Sequence, residues 1–576
     1  MTLSLIGMLA LAFNIQPVEA NGTIYIRADG SVDPPTAPIQ RDGDIYTLTD
    51  NITSVGDGIV IERNNMTLDG AGHTMKKQYI MGCGIGLSLR SNVTVKRFNI
   101  QNYNTGLALT NSSGNYIIGN NITNVYRGIE LRDSSNWNSI IGNIISRVDD
   151  GLSLYESSNN IVRSNIMSNN TFNFHVYGRS IAEFTNDVDV SNIVEGRPVY
   201  YWVNSMNGTV PLNAGYVALV NCTRILAQNL SLSKNGHGVL LAFTTDSTIS
   251  KNTLMNNTHG IDLRYSTNNT IVGNNITSNK DTGIFLEYSS NNTITQNNIT
   301  ASKYTAGIDF YTSSSNNTIT ENNITNNKYG IILSNSSSNN TIFHNSFINN
   351  TSQVYTYSST NTWDNGYPSG GNYWSDYIVV ANDTCSGPFQ DEIGSDGIGD
   401  TVYIIDANNT DNYPLMGMFS DFNATSEHHI QTICNSTISD FQFNGTVISF
   451  NASGENGTSG FCRICVPTTL MNDTYKVFVN GTEIPHTLLP CSNSTHNYLY
   501  FTYSHSTQEV IIIPEFPSLL ILSLFMMATL LAVIVYKRKH QTRNKKKFSF
   551  VVSFYEAHRM FLGVICTCFR TACSDT

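Results

Sequence analysis

A glycine followed by an apolar-x-apolar triplet recurs at Gly84, Gly106, Gly128 and Gly151, and again at Gly238, Gly260, Gly283, Gly307 and Gly330. The spacings are 22, 22 and 23 residues in the first block, then 22, 23, 24 and 23 in the second. Asn173-Phe174-His175-Val176 fills the same slot without the glycine. A fixed period of this length marks a stacked unit. Each unit holds a second apolar pair upstream, as in Ile271 and Ile276 or Ile294 and Ile299. Apolar and polar residues alternate between Ser, Asn and Gly turns, which reads as short strands. No hairpin signal joins strands within a unit, so each must pair with its counterpart in the next unit. The result is an all-β solenoid, a parallel β-helix with coils ~4.8 Å apart. About ten coils predict a rod of roughly 50 Å. Ile261, Ile284, Ile308 and Ile331 form one inward column. The glycines are expected at tight turns with positive φ. Between the upstream apolar residues recurs an asparagine: Asn120, Asn143, Asn252, Asn274, Asn297, Asn322 and Asn345. These are predicted to stack as a structural amide ladder.

Charged residues make up only 13% of the 576-residue chain and the net charge is -11. No basic patch precedes residue 537, which argues against a nucleic-acid partner. The regular apolar columns argue against disorder.

Residues 1–20 read as a signal peptide cut after Ala20. Leu519 to Tyr536 is an uncharged apolar stretch of 18 residues, long enough for one transmembrane helix. Lys537-Arg538-Lys539 follow it and place the basic tail, 540–576, in the cytoplasm. From residue 537 on the charge is +7, which leaves -18 for the remainder. About thirty N-x-[ST] sequons lie between Asn21 and Asn493, as expected of an extracellular glycoprotein.

Residues 21–83 are expected to hold an N-terminal cap and the first coils, and 84–357 the β-helix. An insertion at 179–216 breaks the register. The repeat, the insertion with Pro198-Val199-Tyr200-Tyr201-Trp202, and the stretch Asn365 to Tyr377 (NGYPSGGNYWSDY) resemble the NosD-type family over about residues 40–418. That resemblance implies a right-handed β-helix within the carbohydrate-binding and sugar-hydrolysis group. Pro514-Glu515-Phe516-Pro517, at the head of a 514–539 anchor, resembles the PEF-type signal of archaeal surface proteins. The family name also implies copper handling. Copper wants clustered His, Met or Cys, whereas the 12 histidines are scattered along the sequence.

Residues 358–418, rich in Trp, Gly and Asp, are expected to cap the solenoid's open edge. Asp391, Asp396 and Asp400 lie there with the look of an oxygen-donor loop, a candidate calcium site without EF-hand spacing. Residues 420–513 alternate strand-like runs with Asn-Gly turns and suggest a β-sandwich. Cys434, Cys462, Cys465 and Cys491 should form two disulfides, with three pairings open.

Asp149-Asp150 and Gly236-His237-Gly238 resemble hydrolase motifs but fall in the ordinary variable slot of the repeat. A face is the stronger candidate. In Gly-apolar-x-apolar-x both x positions point outward. They read Glu130 and Arg132, Ser153 and Tyr155, His175 and Tyr177, then Asp262 and Arg264, Phe285 and Glu287, Asp309 and Tyr311. Rings suit pyranose faces and acids suit hydroxyls. Tyr155, Tyr177, Asp262, Glu287, Asp309 and Tyr311 are the candidate glycan-binding residues. Pairing of Arg264 with Glu287 on a solvated face is the competing reading. Asp262 and Asp309, two coils apart, would lie ~9.6 Å from each other, close to the ~6.5–9.5 Å of inverting glycosidases. The expected function is a membrane-anchored cell-surface protein that binds polysaccharide or glycoprotein without catalysis. The alternative is a surface hydrolase or lyase, and copper handling stands behind both.

Overall fold

The computed structural model describes residues 22–514, apart from 78, 472 and 473, together with Val533. The signal peptide, transmembrane and tail readings lie outside the described residues. Among the described residues, no helix is long and apolar enough to cross a membrane.

The described chain is almost entirely β and winds about fourteen solenoid turns. The coil count exceeds the expected ten because coils run from Ile24, before the glycine spacing becomes regular. A typical coil has one six-residue strand and two three-residue strands, as in Thr282–Glu287, Thr293–Thr295 and Asn298–Thr300. Each pairs in parallel with the equivalent strand of the next coil. Ile261, Ile284, Ile308 and Ile331 align in one column and are fully buried.

The column glycines serve close approach, not a turn. None of them has positive φ. A Cβ on Gly260 would lie 2.5 Å from the Gly283 carbonyl oxygen and 2.5 Å from Ile276 Cγ2. The left-handed turns fall instead to Asn, Ser and other residues between strands.

Side-chain amides tie the coils together. Asn120 donates to Asn143 at 3.0 Å, Asn143 to Asn165 at 3.0 Å and Asn165 to Asn192 at 2.9 Å. In the second half Asn252, Asn274, Asn297, Asn322, Asn345 and Asn372 form the same chain, with links of 2.9–3.0 Å. A parallel ladder at another corner, Asn269, Asn292, Asn317, Asn340 and Asn361, has links of 2.9–3.2 Å. The ladders end on polar side chains of the segment that follows the last coil. Asn409 accepts from the Asn361 backbone, and Asp411 from that of Asn372. The indoles of Trp363 and Trp374 donate to the same two residues.

The rod is not one uninterrupted stack. The insertion carries a short helix, Ile181–Phe184, and the strand Arg197–Val203. That strand runs antiparallel to Ile193–Val194 and parallel to Tyr216–Val220. Here the core divides. Val217, Leu219, Val239 and Leu241 belong to the second solenoid's core. Their outward-pointing neighbours Ala218, Val220, Leu240 and Ala242 belong to the first, with Val176 and Phe184. The outer face of the second solenoid's opening coils thus closes the end of the first.

Residues Met418 to Pro514 form two five-stranded antiparallel sheets, whose inner residues gather into one buried cluster. Cys434 bonds Cys462 with a Cα–Cα distance of 4.4 Å. Cys465 and Cys491 remain thiols, against the expectation of two disulfides. Cys465 sits mid-strand opposite Gln431 and Tyr498, while Cys491 lies 3.9 Å from the Arg463 guanidinium.

Candidate functional site

The outward columns of the long strands define the site. In the first solenoid Ala108, Glu130, Ser153 and His175 align in one column, and Tyr155 with Tyr177 in the next. In the second, one column runs Tyr201, Ala218, Leu240, Asp262, Phe285, Asp309. Its neighbour runs Val203, Val220, Ala242, Arg264, Glu287, Tyr311. Both are apolar where they cover the first solenoid's end, and both turn ionic one coil later.

Asp262 is therefore not on a solvated face. It is fully buried, and Arg264 lies 3.0–3.2 Å from its two oxygens. Arg264 also pairs with Glu287 and places its guanidinium 4.7 Å from the Tyr177 ring and 5.0 Å from the Phe285 ring. His237 Nε2 sits 3.2 Å from Asp262 Oδ2. His237 is thus a built part of the junction and not chance filling of a repeat slot. The His175 and His237 ring centroids are 4.7 Å apart, and Tyr155 Oη meets His175 Nδ1 at 3.1 Å. Sequence spacing could not bring His175, His237 and His259 together, because the insertion's fold does so.

Burial pushes the Asp262 carboxyl up, but Arg264 first and His237 next outweigh it and hold it below the usual carboxylate range. Burial raises Glu287, with Arg264 opposing. Burial drives His259 down to about 4 and His175 well below its ordinary value. Asp309 has no cation beside it. Desolvation lifts its carboxyl to about 7, and its Oδ1 has no hydrogen-bond partner.

Asp309 has a testable signature. Its folded pKa lies above that of the unfolded chain, so the native state holds the extra proton between about pH 4 and 7. Its contribution is fully present below that window and is lost as pH rises through it. The two histidines oppose this, since their lowered values make stability rise with pH. Asp309→Asn should isolate the carboxyl: the melting-temperature difference between variant and wild type should widen in the variant's favour from pH 4 to 7. A constant difference would place the Asp309 carboxyl in water.

Two ladders of rings flank the ionic ridge. His259 stacks on Phe285 at 5.1 Å, and Phe285 on Tyr311 at 6.0 Å. Tyr311 is 44% exposed. In the second ladder Phe243 stacks on Tyr265 at 4.7 Å and Tyr265 on Tyr288 at 5.0 Å, with interplanar angles of 5° and 10°. Phe243, Tyr265 and Tyr288 have φ of 55°, 52° and 49°. The preceding coil has Asn221 in that turn slot, also left-handed. Sequence reasoning missed this ladder. Its signal was three successive aromatics directly after apolar-x-apolar-x, in a left-handed turn slot that other coils fill with Leu89, Asn111, Asp133, Glu156, Asn221, Thr312 and Asn335. Of the other expected residues, Tyr155 and Tyr177 are half-buried and tilted together, with centroids 6.1 Å apart.

The sequence matches the family described as periplasmic copper-binding protein (NosD) over residues 51–197 and 203–378, more than half of the chain. The chain belongs to the NosD family. No curated protein matches it. Among solved structures similar to this NosD chain, a double mutant of the periplasmic alginate epimerase AlgG has 15% identity, covering 58% of this chain and 83% of its own, with a TM-score of 0.22. The Azotobacter vinelandii mannuronan C-5 epimerase AlgE4 A-module has 14% identity, 59% and 91% coverage, and a TM-score of 0.24. A tailspike protein double mutant of E. coli bacteriophage HK620, in complex with pentasaccharide, has 10% identity, 86% and 87% coverage, and a TM-score of 0.28.

The copper in the NosD description would need clustered His, Met or Cys ligands. Among the described residues no group of three or more His, Cys, Asp or Glu is placed to hold a metal ion. In the histidine cluster, His175 Nδ1 meets Tyr155 Oη and His237 Nδ1 meets Tyr216 Oη, while His237 Nε2, 3.2 Å from Asp262, and His259 Nδ1 have no hydrogen-bond partner among the described residues. The expected calcium set does not converge either. Asp391 is exposed, whereas Asp396 is buried. Asp400 accepts from the Thr384 and Cys385 backbone at 3.0–3.1 Å and from the Thr384 hydroxyl at 2.7 Å. These local donors already occupy Asp400.

Proposed function

We propose that this NosD-family chain is a non-catalytic cell-surface protein that binds polysaccharide or glycoprotein along the outer face of its second solenoid. In this reading the 519–536 segment anchors it in the membrane, and the two five-stranded sheets form a β-sandwich stalk. The sequons and the charge asymmetry across that segment support an outward-facing body.

The carrying observation is the left-handed ring ladder. A bulky residue at positive φ costs ~1–2 kcal/mol, and Asn in the same turn would relieve most of it. Successive coils keep Tyr265 and Tyr288 there, with flat faces in register. The left-handed turn itself recurs in most coils, with Leu89, Glu156 and Thr312 in the same slot, so the run of stacked rings and not the backbone marks this face. With Phe285 and Tyr311 alongside, the rings offer apolar platforms to sugar C–H faces, and Asp309 offers an acceptor. A hydrolase or lyase reading has less support, since Asp262 is sealed under Arg264 and cannot reach a water or a sugar.

Tyr288→Asn separates the roles. It should raise stability by about 0.5–1 kcal/mol by relieving the turn, yet weaken glycan binding. Tyr311→Ala should weaken binding about tenfold with little change in melting temperature. Glycan-array binding and calorimetry on residues 21–513 would measure both, with a reducing-sugar assay beside them. The reading fails if no glycan binds, or if both variants bind as the wild type does. Sugar release abolished by Asp309→Asn would establish the enzyme instead.

A further inference from the structure

Lys280, Lys303 and Lys328 occupy the same position in three successive coils. Their backbone N–H groups bond to Asn257, Asn279 and Ser302 of the coil before. All three side chains are exposed. Among the described residues, lysine ion pairs are those of Lys96, Lys234 and Lys476, and none involves these three. Instead each ammonium sits over a ring: Lys280 at 5.2 Å from the Phe172 centroid, Lys303 at 5.1 Å from Tyr304 and Lys328 at 5.5 Å from Tyr329. The nearby acids Asp150 and Asp281 feel the charge of Lys280 without forming an ion pair with it. A groove of about 520 Å³ runs between the first solenoid's Phe172 turn and this column, with Lys234, Lys280, Lys303 and Tyr304 in its wall. A second groove continues it along Lys303 and Lys328.

Stacking like charges ~4.8 Å apart is unfavourable. In a chain of net charge -11, the two acids beside the column, Asp150 and Asp281, form no ion pair with it, and among the described residues Lys303 and Lys328 have no acid paired to them. We propose that this lysine column is an anion-binding track and that the glycan is an acidic polysaccharide, a polyuronate or sulfated chain lying along the solenoid axis. One cation per coil matches a polymer with an anion on each ring, and the Phe172, Tyr304 and Tyr329 rings supply apolar contact between charges. The inference rests on the glycan-binding reading and specifies its ligand class.

The test uses the full chain, solubilised, with polygalacturonate, neutral dextran and single-stranded DNA as probes. Polygalacturonate should bind, weaken with salt as screened charges do, and exceed dextran. The Lys280→Gln, Lys303→Gln, Lys328→Gln triple variant should lose about tenfold or more and most of the salt dependence, since each exposed charge contact contributes a factor of about two to five. The substitutions lie on the surface, so melting temperature should hold. Equal binding of polygalacturonate by the triple variant and the wild type overturns the track. So does preference for dextran, which would leave the ring face standing as a neutral-glycan site. DNA binding equal to polygalacturonate would mark the column as a non-selective polyanion surface and overturn the glycan assignment. Failure to bind polygalacturonate overturns the track, whereas the glycan-binding reading falls with it only if the glycan array is also blank.

Discussion

Asn297→Leu should destabilise the protein by about 3–6 kcal/mol, because it strands several buried polar groups at once. The Asn297 amide donates to Ile271 O, Thr295 O and Asn322 Oδ1, each at 2.9 Å. Its Oδ1 accepts from both the backbone and the amide of Asn274, again at 2.9 Å. Leucine fills a similar space and satisfies none of these groups. A buried polar atom left without a partner costs ~1–3 kcal/mol, and several would be stranded on two neighbouring coils. Asn298→Leu is the control. Its amide donates only to Asn275 Oδ1 and its Oδ1 accepts from Asn323, both on the exposed face, so it should cost under ~0.5 kcal/mol. Denaturant melts of the two variants decide the matter. Equal costs would mean that the ladder carries no net stability.

Arg264→Ala should cost about 3–5 kcal/mol, because removing one member of a buried pair strands the other's charge. Asp262 has no route to water when its guanidinium partner is gone, since its other close neighbour is the equally buried His237. Replacing both charges together, Asp262→Asn with Arg264→Met, should cost much less than the two single changes combined. A double-mutant cycle measures that coupling. If the single changes simply add, the ion pair is solvent-screened and the junction is looser than described.

The repeat was legible because period-two apolar alternation on a fixed spacing admits few other folds. The Asn297 ladder was legible for the same reason, since its asparagines lie between paired isoleucines. The Asn292 ladder was not. Its members stand in Ser/Asn-rich turns, where asparagine is already the ordinary turn residue. The glycine column was found but its cause was misread: the neighbour's carbonyl oxygen, invisible in one coil's sequence, is what excludes a Cβ. Asp262 was assigned correctly to the outward side of its own coil. Its burial depends on a different segment, His175 to Tyr177, arriving from across the insertion. Local alternation fixes which side a residue takes, and only tertiary packing decides what waits there. The lysine column lay in plain sight at one residue per coil, but its lack of carboxylate partners is a property of the folded surface.

The sealing of one solenoid's end by the flank of the next sets which coils are interchangeable. A coil excised between Tyr265 and Asn345 could be closed over by its neighbours, since each buries its apolar residues only within its own stack. Removing the coil that carries Leu240 and Ala242 would instead slide Asp262 and Arg264 over Val176 and Phe184, placing charges on an open hydrophobic end. Relatives of this chain should therefore vary in length by whole coils beyond the junction and keep a constant count across it. Shortening or extending the distal stack would change the length of the outer face without touching the packed junction between the two solenoids.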